Sequence, residues 1–139
     1  MDIIRRNTDY ALRALVFLAR QSAEESVSTR TIAAQARFSY QLACKLMQRL
    51  QKAGLVVSCM GAKGGFQLAR TPQEISLGQV VETIQGPLSL SSCLLGKSDC
   101  CNRSRCTIRN KLGELQSDIA VFLEETTLAD FVEKQSIES

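Results

Sequence analysis

Fourteen residues, Cys93 to Cys106 (CLLGKSDCCNRSRC), hold four of the chain's six cysteines, and the chain has no histidine at all. This stretch constrains everything around it. Without imidazole, clustered thiolates are the main way to hold a transition metal. Charge is divided as well. Residues 1–70 carry eleven Lys/Arg against four Asp/Glu, a net +7, and residues 71–139 carry six against ten, a net −4. A basic half beside an acidic half fits one face for a polyanion and a different task for the remainder.

The 139 residues suit one domain, or one domain with an appendage. Apolar residues make up 45% of the chain but aromatics only 5%, with no Trp, so the core must come from Leu, Val, Ile and Ala. That composition favours helix. Arg5 and Arg6 precede an apolar run, but Arg13 interrupts it, Arg20 ends it and no small-residue cleavage site follows. No apolar run is long enough to span a bilayer. The expectation is a cytoplasmic protein with no membrane partner. There, six cysteines read as metal-binding or redox-active and not as a disulfide framework.

Thr8 to Gln21 reads as a first helix, with Ala11, Leu15 and Leu18 as a stripe flanked by Leu12, Val16 and Ala19. Asp9 falls in its first turn, where a carboxylate complements the helix dipole. Residues 22–27 read as a loop. Ser28 or Thr29 then caps a second helix carrying Ile32, Ala33 and Ala36. After the turn Arg37-Phe38-Ser39, Ser39 caps a third helix running to Ala53, with Leu42, Leu46 and Leu50 at i, i+4, i+8 and Met47 beside them. Two helices on a tight turn, the second flanked by Lys45, Arg49 and Lys52, fit a helix-turn-helix.

Leu55 to Ser58 and Phe66 to Ala69 read as two short strands around Gly61-Ala62-Lys63-Gly64-Gly65. A helix-turn-helix followed by a hairpin is a winged helix. The glycines would let the hairpin tip approach a phosphate backbone, with Lys63 supplying charge. A nucleotide-cradling loop is excluded, because no helix opens after the glycines and no G-K-[ST] is present. Thr71-Pro72 breaks the chain, Ser76 caps a short helix ended by Gly86-Pro87, and the cysteine stretch follows. From Thr107 to about Glu125, Ile108, Leu112, Leu115, Ile119 and Phe122 repeat at alternating spacings of four and three. This is a short a/d seam suited to a dimer interface. Thr127 caps a last helix.

The fold expected is mainly α: a winged helix-turn-helix domain with a small β-hairpin wing, a cysteine loop and a long C-terminal dimerisation helix. Its parts are a DNA-binding unit (1–85), a cluster-binding loop (86–106) and a dimerisation region (107–139). Cys44 and Cys59 read as small apolar fillers. Cys93-x6-Cys100 and Cys100-x5-Cys106 are spaced more widely than the C-x2–4-C pairs of structural zinc sites, and only Cys101-x4-Cys106 falls at the edge of that range. Their long spacings wrap better around an iron–sulfur cluster, with a zinc staple or a thiol–disulfide switch as the alternatives.

In this order the motifs resemble the bacterial winged-helix regulators that include IscR, NsrR and RirA. Thr8-Asp9-Tyr10-Ala11-Leu12-Arg13 is similar to the family's opening, in its NsrR form. Arg49-Leu50, Ala53-Gly54-Leu55-Val56, the Gly61–Phe66 wing, Ile75–Val80 and the spaced cysteines carry the rest. The resemblance implies a homodimeric transcription factor with an iron–sulfur cluster near the dimer interface. Cys93, Cys100 and Cys106 would be ligands, and Asp9 of the partner subunit would complete the set. Such a set fits a four-iron (4Fe–4S) cluster best, with a two-iron (2Fe–2S) form open. Cys101 is an extra thiol and an alternative middle ligand. IscR-like members carry a histidine where this chain has Arg109, which rules out a histidine-ligated cluster. Met60 replaces a common wing arginine, and Leu42 a common recognition-helix tyrosine.

The function expected is a DNA-binding regulator, a repressor, controlled by a cluster that senses nitric oxide, redox state or iron. The alternative is a cluster-free DNA-binding dimer switched by cysteine oxidation or by a partner protein. An enzyme has no support, since no nucleophile–base pair or cofactor loop stands out. Ser28, Thr29 and Arg30 are candidate phosphate contacts. Ser39, Gln41, Lys45 and Gln48 are candidate base or phosphate contacts, and Lys63, Gly64 and Gly65 are candidates in the wing. A palindromic double-stranded operator would offer half-sites about one helical turn apart.

Overall fold

The computed structural model describes residues 3–61, 64–90, 94 and 106–133. Its elements are α1 (Arg6–Ala19), α2 (Thr29–Ala36), α3 (Tyr40–Lys52), β1 (Val56–Cys59), β2 (Gly65–Leu68), a single 3-10 turn (Pro72–Glu74), α4 (Leu77–Gln85), α5 (Thr107–Glu125) and α6 (Leu128–Glu133). The expected winged helix-turn-helix is present. Ser28 caps α2 by accepting from the Thr31 N–H, Ser39 caps α3 by accepting from Leu42, and Ser76 caps α4 by accepting from Gln79. Gly54 follows α3 with φ +79°, the left-handed value that lets the chain turn into the wing.

One core joins these pieces. Ala11, Leu15 and Leu18 of α1 meet Ile32 of α2, Leu46, Met47 and Leu50 of α3, and Val80 and Ile84 of α4. Leu128 of α6 is fully buried in the same cluster. Backbone bonds from Leu77 to Thr126 and from Leu128 to Ile75 seat α6 there. The last helix therefore returns to brace the first module. No helix among the described residues is long and apolar enough to cross a membrane.

Most element ends lie within one or two residues of expectation, and two differences have a cause in the fold. The first helix starts at Arg6, because its end is capped from outside. The Gln85 side chain at the end of α4 accepts from the Arg5 N–H at 3.0 Å and from the Thr8 hydroxyl at 2.7 Å. It also donates to the Ile3 carbonyl at 2.8 Å. Thr8 is completely buried, and this bond satisfies it. The second difference is Val27, which the sequence places in a loop. It exchanges two backbone bonds with Phe66 and extends the hairpin by an isolated antiparallel bridge.

That bridge gives the wing glycines a structural task. A Cβ on Gly65 would overlap the Val27 carbonyl, and one on Gly64 would lie 2.6 Å from the Cys59 carbonyl oxygen. The bare backbones are used inside the fold. Gly65→Ala should therefore destabilise by roughly 2–3 kcal/mol, the upper part of the range for forced overpacking. Urea unfolding checks it, and a loss under about 0.5 kcal/mol, the scatter of neutral surface changes, would contradict the packing argument.

Candidate functional site

The exposed face of the helix-turn-helix carries the nucleic-acid candidates. Ala43, Leu46, Met47 and Leu50 bury one side of α3, which leaves Gln41, Lys45 and Gln48 exposed at i, i+4, i+7 on the other. Ser28 and Ser39 are exposed, but their oxygens already accept capping bonds. Thr29 is half-buried. Lys63 lies outside the described residues, while Met60 in the wing is 98% exposed.

Two residues here have roles that the sequence does not mark. Tyr40, the first residue of α3, lies under Arg30, whose guanidinium carbon is 4.3 Å from the ring centroid. Arg49, a flanking cation by sequence, instead donates to the Ile84 carbonyl at 3.0 Å. The recognition helix is thus pinned to the end of α4. The neighbouring Gln85 pins the start of α1. Gly86 follows with φ +84° and leads the chain towards the cysteine stretch.

Of the cysteine stretch, Cys93, Cys100 and Cys101 lie outside the described residues. Cys106 is half-buried at the N-cap of α5, and its Sγ accepts from the Arg109 N–H at 3.4 Å. This is the N-cap bond of α5, and a thiolate sulfur that holds a metal can accept the same kind of backbone bond. Asp9 lies about half exposed in the first turn of α1, paired with Arg13 at 3.0 Å. It opens onto a groove lined by Leu12, Val16, Phe17 and Phe131. Among the described residues, no three His, Cys, Asp or Glu side chains converge on one ion.

α5 has no fully buried residue along its 19 positions. It rests on α4 through Leu123, against Gly78, while Gln116 accepts from the Leu90 N–H at 2.9 Å. Its apolar seam lies elsewhere. Ile108 is 70% exposed, Leu115 50% and Phe122 64%, with Leu112 and Ile119 half-buried.

A family profile described as "Rrf2: Iron-dependent Transcriptional regulator" matches residues 4–134. The chain belongs to the Rrf2 family of transcriptional regulators. It is 33% identical over 126 residues to the regulator NsrR of Shouchella clausii, covering 90% of this chain and 85% of that one. NsrR of Geobacillus kaustophilus is 34% identical over 130 residues, covering 93% and 88%. Among solved structures, CymR of B. subtilis superposes with TM-score 0.79 at 28% identity, covering 96% of this chain and 98% of that one. T. potens IscR superposes at 0.77 with 27% identity, covering 95% and 87%. This Rrf2 chain is a transcription regulator with a DNA-binding fold, and its relatives are regulators and not enzymes.

Proposed function

We propose that this Rrf2 regulator is a homodimeric repressor whose DNA binding depends on an iron–sulfur cluster. Cys93, Cys100 and Cys106 of one subunit and Asp9 of the partner subunit would hold it, with Cys101 as the alternative middle ligand. In this reading residues 1–85 bind DNA, 86–106 hold the metal and 107–139 supply the dimer helix. When bound, such a cluster supplies iron sites open to nitric oxide, oxygen and iron loss. The rest is done by the protein's own bonds.

The observation that carries the coupling is the shared anchor at the end of α4. Ile84 takes the recognition helix through Arg49, Gln85 takes the α1 turn that bears Asp9, and the cysteine stretch begins a few residues on. A pull on the loop or on Asp9 reaches α3 through two hydrogen-bonded steps. Two recognition helices must fit successive half-sites together, so a small change in their spacing removes specific binding. The direct test is selection of duplexes from a random pool by anaerobic protein. Selection should yield a palindrome whose recovery falls when nitric oxide or an iron chelator is added. Equal recovery with and without the metal would count against the reading.

Asp9 can be tested separately from the fold. Its pair with Arg13 is solvent-exposed on both sides, so losing it costs at most about 1 kcal/mol. Asp9→Ala should shift Tm by no more than a few degrees while altering the visible spectrum and the air-lability of the iron. An unchanged spectrum and lability would leave Asp9 a helix-dipole residue.

A second reading is favoured by one finding. The structural neighbours include CymR, described as the global cysteine regulator of B. subtilis, and an oxidised form of Staphylococcus aureus CymR at TM-score 0.74 and 27% identity. A colourless preparation whose DNA binding responds to thiol oxidation would support a cluster-free switch.

A further inference from the structure

Arg30 and Tyr40 sit where the two helices of the helix-turn-helix begin, as the second residue of α2 and the first of α3. Tyr40 is 43% exposed and fills no core position. Its ring instead carries the Arg30 guanidinium, 4.3 Å from the centroid. A guanidinium held over a ring is attracted by the ring face and keeps N–H groups available to a further partner. The surroundings favour an anion there. Neither helix has an acidic residue in its first turn, and both present positive dipole ends at this edge. Neither ion pair among the described residues, Asp9–Arg13 or Lys111–Glu114, engages Arg30.

We propose that Tyr40 is a positioning residue that holds Arg30 ready for one DNA backbone phosphate per subunit. An arginine on a free surface must be ordered when it meets a phosphate, whereas a stacked one is ordered in advance. Such a contact carries no sequence information but fixes where the N-terminus of α3 enters the groove. The inference rests on the DNA-binding reading and adds a residue and a mechanism to it.

Because a phosphate contact is indifferent to sequence, the probe is a fluorescein-labelled duplex of random sequence. Anisotropy titrations between about 50 and 200 mM salt give the slope of log K against log salt. Its magnitude falls by about 0.9 for each phosphate that the protein no longer neutralises. Arg30→Gln should lower the slope by that amount per subunit. Tyr40→Leu should do the same and weaken binding about two- to fivefold per subunit, the range of a surface cation–π contact. Tyr40→Phe, which keeps the ring, should match the wild type. The Arg30→Gln/Tyr40→Leu double variant should be no worse than Arg30→Gln alone. Tyr40 is exposed, so none of these changes touches the core.

An unchanged slope in Arg30→Gln would overturn the phosphate contact. A wild-type slope in Tyr40→Leu, or additive losses in the double variant, would overturn the positioning role. Wild-type protein that binds the duplex at no salt concentration would instead overturn the DNA-binding reading itself, and this inference with it.

Discussion

Replacing Cys106 is expected to bleach the protein, and two replacements separate what this residue does. Cys106 is both the N-cap of α5 and a proposed metal ligand. Serine is a better N-cap than most residues, while alanine loses the cap at a cost of about 1 kcal/mol. Neither offers a soft thiolate to iron. Anaerobic wild-type protein should be coloured and contain iron and sulfide. Cys106→Ser and Cys106→Ala should both fall to about a tenth of the wild-type iron or less, because a ligand change costs at least as much as the ten- to hundredfold typical of its hydrogen-bond partners. Only Cys106→Ala should also lose stability in the metal-free state. Iron retained at wild-type level in the serine variant would remove Cys106 from the ligand set, and a colourless wild type with stoichiometric zinc would remove the cluster.

The N-cap and the proposed ligand role of Cys106 draw on different signals, one local in the sequence and one spread along the chain. Local devices are legible. Ser28, Ser39 and Ser76 cap helices whose N–H groups lie three residues on, so a single window contains donor and acceptor. The bounds of α5 follow from a periodic seam, and Thr107 to Glu125 is the helix observed. Devices that span the chain are not legible. Gln85 caps α1 from 80 residues away, and nothing around Arg5 marks the partner. Arg49 resembles any surface cation until the fold brings the Ile84 carbonyl to it. In sequence, the wing glycines suggest room for DNA. In the fold, their nearest neighbours include Val27 and Cys59 of the same chain, and a single bridged residue leaves no periodic signature. Tyr40 is silent because one aromatic at a helix start carries no pattern, and its meaning depends on Arg30 lying above it. For Asp9, periodicity supplies the helix turn and the family resemblance supplies the role. The structure adds the Arg13 pair, which must open or rearrange if the carboxylate is to take a metal.

Leu115→Lys is expected to turn a dimer into a folded monomer and to reduce operator affinity by at least a hundredfold. The reasoning starts from exposure. Leu115 is 50% exposed, with Ile108 and Phe122 more so, and α5 buries no residue completely within its own chain. A charge at position 115 therefore disturbs little inside the subunit. Across a two-fold axis the same patch packs on itself, so each subunit would bring one lysine into the apolar seam in place of a leucine. Each leucine buried at such an interface contributes about 1.5–3 kcal/mol, and burying an unpaired charge there costs more. On DNA the consequence is multiplied. A dimer binds its second half-site intramolecularly, a gain of about 10²–10⁴ that a monomer lacks. Sedimentation velocity should show half the wild-type mass, and wild-type Tm should rise with protein concentration while that of Leu115→Lys does not. Lys111 and Glu114, which form an exposed pair on the same helix, provide the control. Glu114→Lys adds charge beside the seam and should remain dimeric. If Leu115→Lys stays dimeric with wild-type affinity, the seam is not the interface. The proposed sharing of a metal site between Asp9 of one subunit and the cysteines of the other would then need a different dimer to support it.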